Sequence, residues 1–409
     1  MKRILILEIS GSGHHPSYLR RILESGILDA AHVIVAGPSS LSAHSELRDL
    51  RSQYEFHELA IDPNQQARLA DFSAIGLVRR EFVLRAIFER AWRRACSSGQ
   101  IDLVVLPLVD GCANAIALRG APFGGTPWIA VSMRAQFHLR KMGVTVPRTI
   151  SRLAREILFR RLLQRESLKA LLTIDPTLAE YATRQRASEF AKVCLLPDTC
   201  NTYTLIEKNV ARKQLDIPIP AKLILAYGHL TARKGIFNLI RAMTREECPR
   251  HVHLLLAGSQ DEDVKKFLAG PVAAHLRAEG RLHLLPGFVP EESVPALLSA
   301  ADALWVGYIG FYTMSNILVL AARHHLQVIP SNQGVIGYLS SRHNLGLMVN
   351  PLSEDSVVDA LREVADPPPS RPEQIARARA AFASHTDATF HQVMKQAIRS
   401  AVPDLISDR

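Results

Sequence analysis

Gly228 closes an apolar run, Leu223-Ile224-Leu225-Ala226-Tyr227, and six residues later Lys234 precedes Gly235 and a helical pattern of Phe237, Leu239, Ile240 and Met243. A glycine turn between strand and helix directs backbone N–H groups at an anion, and a lysine in that turn adds a point charge. Together they could stabilise a diphosphate. A cation at a helix start is mildly disfavoured by the helix dipole, so a merely solvated lysine is the weaker reading. Other candidates follow apolar runs in the N-terminal half: His14 and His15 after Ile4–Ile9, Asp110 after Leu103–Leu108, and Arg134 after Trp128–Ser132. Ligands collect at the carboxyl ends of strands in open parallel sheets. There Asp110 could serve as a general base or orient a hydroxyl, and the histidines could hold an acceptor or a phosphate. A satisfied structural polar residue would give each of these the same signal.

The elements that must position these residues are strands alternating with helices. In the N-terminal half, strands are expected at Ile4–Ile9, His32–Ala36, Leu103–Leu108, Trp128–Ser132 and Leu171–Ile174, with Pro16 opening the first helix. A polar linker runs from Asp198 to about Pro220. A second series follows at Leu223–Tyr227, His253–Ala257, Leu282–Leu285, Ala303–Val306 and Gln327–Pro330. Apolar strands separated by helices predict parallel sheets covered on both faces. With 409 residues, the chain is too long for one core. The expected architecture is α/β, with two Rossmann-like, doubly wound domains facing a cleft. Residues 1–198 form the first domain, residues 199–375 the second, and a helix from about 376 to 409 packs back on the first.

Charge is unevenly placed. From Arg79 to Lys192 there are 20 Lys or Arg against 9 Asp or Glu, while the whole chain carries a formal +10. Leu84, Phe88, Ala91 and Trp92 share one helical face, with Arg79, Arg90, Arg93 and Arg94 opposite. Between Arg148 and Arg165 arginines share a face with Phe159, Leu162 and Leu163. Mixed faces of this kind suit an anionic membrane surface, and a solvated arginine-rich helix is the plain alternative. At 6% aromatic residues and with no binding motif, nucleic acid is not an expected partner. Five scattered cysteines fit neither a zinc site nor a disulfide framework and point to a reducing compartment. Glu8 interrupts the first apolar run, which therefore reads as a strand and not as a secretory signal, and no stretch is long enough to span a membrane.

Taken in order, several segments carry a family pattern. They are the loop Gly11–His15, Leu172-Thr173-Ile174-Asp175-Pro176-Thr177-Leu178, the crossing Val193–Asp198, and Gly228–Gly235. Leu255–Ser259, Leu285–Pro290, Ala300–Ala303 and Val328–Asn332 follow. The chain resembles a GT-B glycosyltransferase over nearly its whole length, and its second half resembles family 4 of the glycosyltransferases. That resemblance implies a nucleoside-diphosphate sugar as donor, a glycan or lipid-linked acceptor at the cytoplasmic membrane face, and retention at the anomeric carbon. Donor contacts would come from Gly228, His229, Arg233, Lys234, Gly258, Phe288, Val289, Gly310, Ser315 and Asn316. Acceptor contacts would come from Gly13, His14 and Arg134, with Asp110 and His15 as catalytic residues. No cofactor beyond the donor is expected, and without an Asp-x-Asp pair the expected catalysis needs no metal.

The chain departs from the pattern at defined places. His229 stands where the family usually has arginine, and Arg233 could substitute. The two glutamates that the family uses near the donor sugar and ribose are missing: their places fall on Tyr312 and Leu320, or on Ile309 and Ile317, and no Asp or Glu occurs between Asp302 and Glu354. Ser315 or Asn316 could bind the ribose instead. Three readings stay open: a glycosyltransferase, a non-catalytic binding or scaffold relative, and a sugar-nucleotide epimerase on the same fold.

Overall fold

The computed structural model describes residues 1–149 and 151–403. Two compact units divide the chain: Met1–Met142, Arg148–Asp198 and the chain from Thr386 onward form the first, and Gly143–Pro147 with Thr199–His385 form the second.

The first unit is built on seven strands: β1 (Arg3–Leu7), β2 (His32–Gly37), β3 (Glu55–Glu58), β4 (Leu103–Leu106), β5 (Trp128–Ser132), β6 (Leu168–Thr173) and β7 (Val193–Leu195). Their spatial order is β3-β2-β1-β4-β5-β6-β7, and every pairing is parallel. Helices cover both faces of such a sheet, so its inner strands must be apolar throughout, and β4 and β5 are buried at every position. The edge strand β3 is different. It carries Glu55, whose carboxylate oxygens meet His32 and His57, and this polar, charged rim discourages another strand from adding there. Sequence reasoning overlooked β3 because it has no apolar run.

Five strands form the sheet of the second unit: β8 (Lys222–Tyr227), β9 (Val252–Gly258), β10 (Leu282–Pro286), β11 (Ala303–Val306) and β12 (Gln327–Pro330), in the order β10-β9-β8-β11-β12 and again all parallel. All seven residues of β9 are buried. Beneath the sheet, Leu239, Ile240 and Met243 of the helix Ile236–Thr244 pack with Val357 and Leu361 of the helix Glu354–Ala365.

Two expectations need correction. The polar linker contains a helix, Lys208–Gln214, anchored because the buried Arg212 guanidinium donates to Asp302 Oδ2 at 2.7 Å and Lys208 reaches Oδ1 at 2.6 Å. The single final helix from about 376 is two helices, Arg371–Ala381 in the second unit and Asp387–Ala401 in the first. Thr386 causes the break: its backbone is extended and its side chain accepts from Thr389 N–H, which caps the last helix. That helix does pack on the first unit, with Phe390 edge-on to Tyr18 and Asp387 paired with Arg21. The rest of the expected span, residues 404–409, lies outside the described residues.

Gly258 ends β9 at φ +145°, and a Cβ there would stand 1.9 Å from the Gly228 carbonyl oxygen. Both the backbone conformation and this close approach demand glycine. Gly258→Ala is expected to destabilise the second unit by about 2–3 kcal/mol, measured as a lower urea midpoint for that unit's unfolding transition.

Candidate functional site

In both sheets two neighbouring strands send their crossovers in opposite directions. β8 continues to β9 on one side and β11 to β12 on the other; likewise β1 continues to β2 and β4 to β5. The carboxyl ends of such a pair leave a crevice that neither connection fills. The sequence candidates fall at these two places.

In the second unit, the loop after β8 and the loop after β11 lock together. Ile309 N–H donates to the Arg233 carbonyl at 2.8 Å, and Trp305 Nε1 donates to the Lys234 carbonyl at 2.7 Å. Gly235 lies so close that a Cβ would meet the Gly307 carbonyl at 2.2 Å. This fixes Lys234, whose ammonium donates to the Tyr227 carbonyl and lies 5.7 Å from the centre of the Tyr308 ring. Burial, with the neighbouring Arg233 charge adding to it, pulls the Lys234 pKa down to about 8. A desolvated cation that rests on a carbonyl and an aromatic face favours an incoming anion. Arg233 is exposed and stacks over Phe311 at 5.0 Å.

The loop from Gly307 to Ser315, which contains no carboxylate, thus turns the aromatic faces of Tyr308 and Phe311 to the two cations. Tyr308 is buried, and burial pushes its phenol up to about 12 while a hydrogen bond with Ser315 acts in the other direction. Gly310 adopts φ +64°, and Ser315 precedes the helix Asn316–Arg323 without a side-chain cap of its own. The Asn316 amide donates to the Thr199 carbonyl at 2.7 Å, which ties the helix start to the segment entering the unit. His229 is exposed and meets Ser259 Oγ at 2.9 Å through Nδ1. After β10, Phe288 is 88% exposed and Val289 partly so, which leaves an aromatic face open for stacking.

In the first unit, the loop after β1 holds a pairing that sequence reasoning missed. Glu8 is only 2% exposed, and its Oε1 accepts from Ser10 N–H at 3.0 Å and lies 2.9 Å from His15 Nδ1. A carboxylate on Nδ1 fixes the ring so that Nε2 is the nitrogen left to accept a proton. The available signal was a lone carboxylate closing an apolar strand just ahead of a glycine-histidine loop. His14 stacks on His15 at 4.7 Å; partial desolvation, then the positive charge of His15 and Arg134, lowers its pKa. Gly13, at φ +65°, is exposed in the same loop.

Asp110, after β4, accepts from Ser132 Oγ at 2.9 Å, Met133 N–H at 2.7 Å and Arg134 N–H at 3.2 Å. It therefore braces the loop after β5, while burial raises its pKa against the pull of those hydrogen bonds. Glu81, also missed, accepts from the backbone and side chain of Asn114, and its pKa is likewise raised by burial. His15, Asp110, Arg134 and Glu81 all line one cavity of about 1040 Å³. Among the described residues no group of three or more His, Cys, Asp or Glu is placed to hold a metal ion.

Residues 221–366 match the family model described as glycosyl transferases group 1. Sucrose-phosphate synthase from Thermosynechococcus elongatus is similar over 98% of both chains, with a TM-score of 0.69 and 17% identity. HepE from Anabaena, in complex with UDP and glucose, is similar over 98% of this chain and 100% of its own, with a TM-score of 0.65 and 15% identity. The chain has the GT-B fold, and the family-model match falls within its second unit. A Bacillus subtilis (strain 168) protein assigned as the teichuronic acid biosynthesis glycosyltransferase TuaC is 28% identical over 155 residues, 38% of this chain. The match spans 36% of that relative's length.

Because Lys234 titrates near 8 in the free protein, its charge is present below that pH and lost above it. Nucleoside-diphosphate affinity is expected to fall as the pH rises from about 7 to about 9.5, and Lys234→Ala is expected to weaken it about tenfold or more and flatten that pH dependence. Isothermal titration at several pH values checks both.

Proposed function

We propose that this protein transfers a sugar from a nucleoside-diphosphate sugar to a hydroxylated acceptor in the assembly of a polysaccharide or related glycan. The observation that carries this reading is the Lys234 ammonium, held at the β8/β11 crevice beside Arg233 within a group 1 glycosyltransferase domain. Its UDP-bound structural neighbour and the assigned role of TuaC support the donor and acceptor classes.

The leaving diphosphate gains negative charge as the bond from the anomeric carbon to the phosphate oxygen breaks. Lys234, Arg233 and the N–H groups at the start of the helix Asn316–Arg323 would meet that charge. Gly228 and Gly258 would let the backbone come close to the donor, Phe288 and Val289 would pack on its base, and His229 and Ser315 would hold hydroxyl groups. On the acceptor side, His15 would take the proton of the attacking hydroxyl, with Glu8 as its positioning residue. Asp110 would hold the loop that carries Arg134, and Arg134 with His14 and Gly13 would contact the acceptor. Retention belongs to the same proposal, with the hydroxyl attacking the anomeric carbon from the face that the diphosphate leaves, as do catalysis without a metal and a cytoplasmic enzyme peripheral to the inner membrane face.

A membrane-facing role is supported by side chains left bare on two helices: Ile75 and Val78 on Ala74–Cys96, and Leu153 and Ile157 on Arg152–Leu163, with Arg79 and Arg155 exposed among them. No helix among the described residues is long and apolar enough to cross a membrane. The lack of any carboxylate between Asp302 and Glu354 supports a second reading, in which the protein binds the donor and does not turn it over.

A thermal-shift screen of uridine, guanosine, thymidine and adenosine diphosphates and their sugars should find one stabilising base. Labelled donor should then pass its sugar to an acceptor in excess chelator with the anomeric configuration kept; donor binding without transfer to any cell-extract acceptor would favour the second reading. His15→Ala is expected to lower kcat by about 100-fold or more, and Glu8→Gln to lower kcat while leaving the donor KM unchanged. Vesicles rich in anionic lipid should sediment with the protein at low salt and release it at high salt, whereas neutral vesicles should not retain it.

A further inference from the structure

The cavity of the first unit is larger and more apolar than a sugar hydroxyl needs. Its volume, about 1040 Å³, is at the upper end of what small-molecule sites occupy. Its lining is divided by element. The strand ends and the loops and helix starts that follow them supply polar groups: His15, Asp110, Ser132, Arg134 and, from the helix Ala113–Arg119, Asn114. The helices supply apolar ones: Leu77, Val78 and Leu84 from Ala74–Cys96, and Leu158, Phe159 and Leu162 from Arg152–Leu163. Leu77 and Val78 line the cavity and are nevertheless exposed, Val78 by 58%, so no part of the first unit covers them. The bare surface continues beyond the cavity through Ile75 and Phe72, the latter 73% exposed. A contiguous apolar surface of this kind, left open beside a polar recess, marks a binding site. Arg80 and Arg155 also line the cavity, with Glu81 as the one helix-borne carboxylate in the lining, and they place positive charge next to the apolar wall; the Arg80 guanidinium lies over the Phe72 ring at 4.3 Å.

We infer that the acceptor is an amphiphile: a hydroxylated head seated at the strand ends near His15 and Asp110, and an apolar chain laid along Val78 and Leu158 and out past Ile75. An anionic linkage between head and chain would meet Arg80 and Arg155. This rests on the glycosyltransferase reading for its chemistry, but the binding site itself does not depend on turnover.

The probe is dodecyl β-maltoside below its micelle concentration, titrated against maltose by calorimetry. The alkyl glycoside is expected to bind saturably and at least about tenfold more tightly than maltose, with a negative heat-capacity change. Val78→Asp and Leu158→Asp should each weaken it by about tenfold or more, while Leu118→Asp, exposed and outside the cavity, should not. Retained thermal midpoints and an unchanged shift on nucleoside-diphosphate binding show that the variants are folded; Val78→Asp, at an exposed position, keeps the test valid if Leu158→Asp does not fold. Equal affinity for the two glycosides, or alkyl binding that survives both cavity variants, overturns the proposal. Alkyl binding that responds to the variants, without sugar transfer to any lipid-linked acceptor, upholds the site and overturns the transferase reading. Transfer to free oligosaccharides without alkyl selectivity does the reverse.

Discussion

A cation that the protein itself does not neutralise is the interaction on which the second unit is organised. Lys234 sits where the crossovers from β8 and β11 part, and the fold gives it a main-chain carbonyl and an aromatic ring as neighbours. Burial beside Arg233 draws its proton affinity down to about 8, so the free protein carries a desolvation cost that a bound anion would relieve. The surrounding loops hold this state rigidly. Ile309 is bonded to Arg233, Trp305 to Lys234, and the Gly235–Gly307 approach admits no side chain. An ammonium fixed before its partner arrives loses little freedom when the partner binds, which is the physical advantage of such pre-organisation.

The first unit repeats the topology with different chemistry. Its crevice, at β1 and β4, gathers carboxylates and imidazoles where the second unit gathers cations. Three of these groups are already committed within the protein: Glu8 to His15, Asp110 to the Ser132–Arg134 loop, and Glu81 to Asn114. Each committed carboxylate positions a neighbour, and Asp110 and Glu81 line the cavity together with the imidazole of His15, the side chain of Arg134 and the apolar wall. One sheet plan thus supports a crevice with paired cations in one unit and a partly apolar recess in the other, because the strands fix only where a crevice forms and the loops decide what lines it.

Much of this was legible before the fold was known. The two strand series, the turn at Gly228–Lys234 and the polar residues His15, Asp110 and Arg134 at strand ends all follow from local rules, since apolar runs bounded by glycine and proline report their own burial. Other features were not. β3 has no apolar signature because its role is to be a charged edge. Lys208–Gln214 was hidden in a polar linker because Arg212 and Lys208 are held by Asp302, some 90 residues away in sequence. Nor did the sequence show that the Asn316 amide donates to the Thr199 carbonyl.

The sequence by itself determined the strand-helix alternation, the excess of arginine between Arg79 and Lys192, and the absence of any carboxylate between Asp302 and Glu354, because these depend only on residue type and order. Only the tertiary structure decided that Tyr308 and Phe311 face the cations, that Glu8 orients His15, and that Leu77 and Val78 stay bare in the lining of a cavity. The first and last of these depend on how separate segments are brought together or left apart, and even the Glu8–His15 pair, seven residues apart in sequence, depends on how the loop after β1 is folded and not on any local preference of the residues involved.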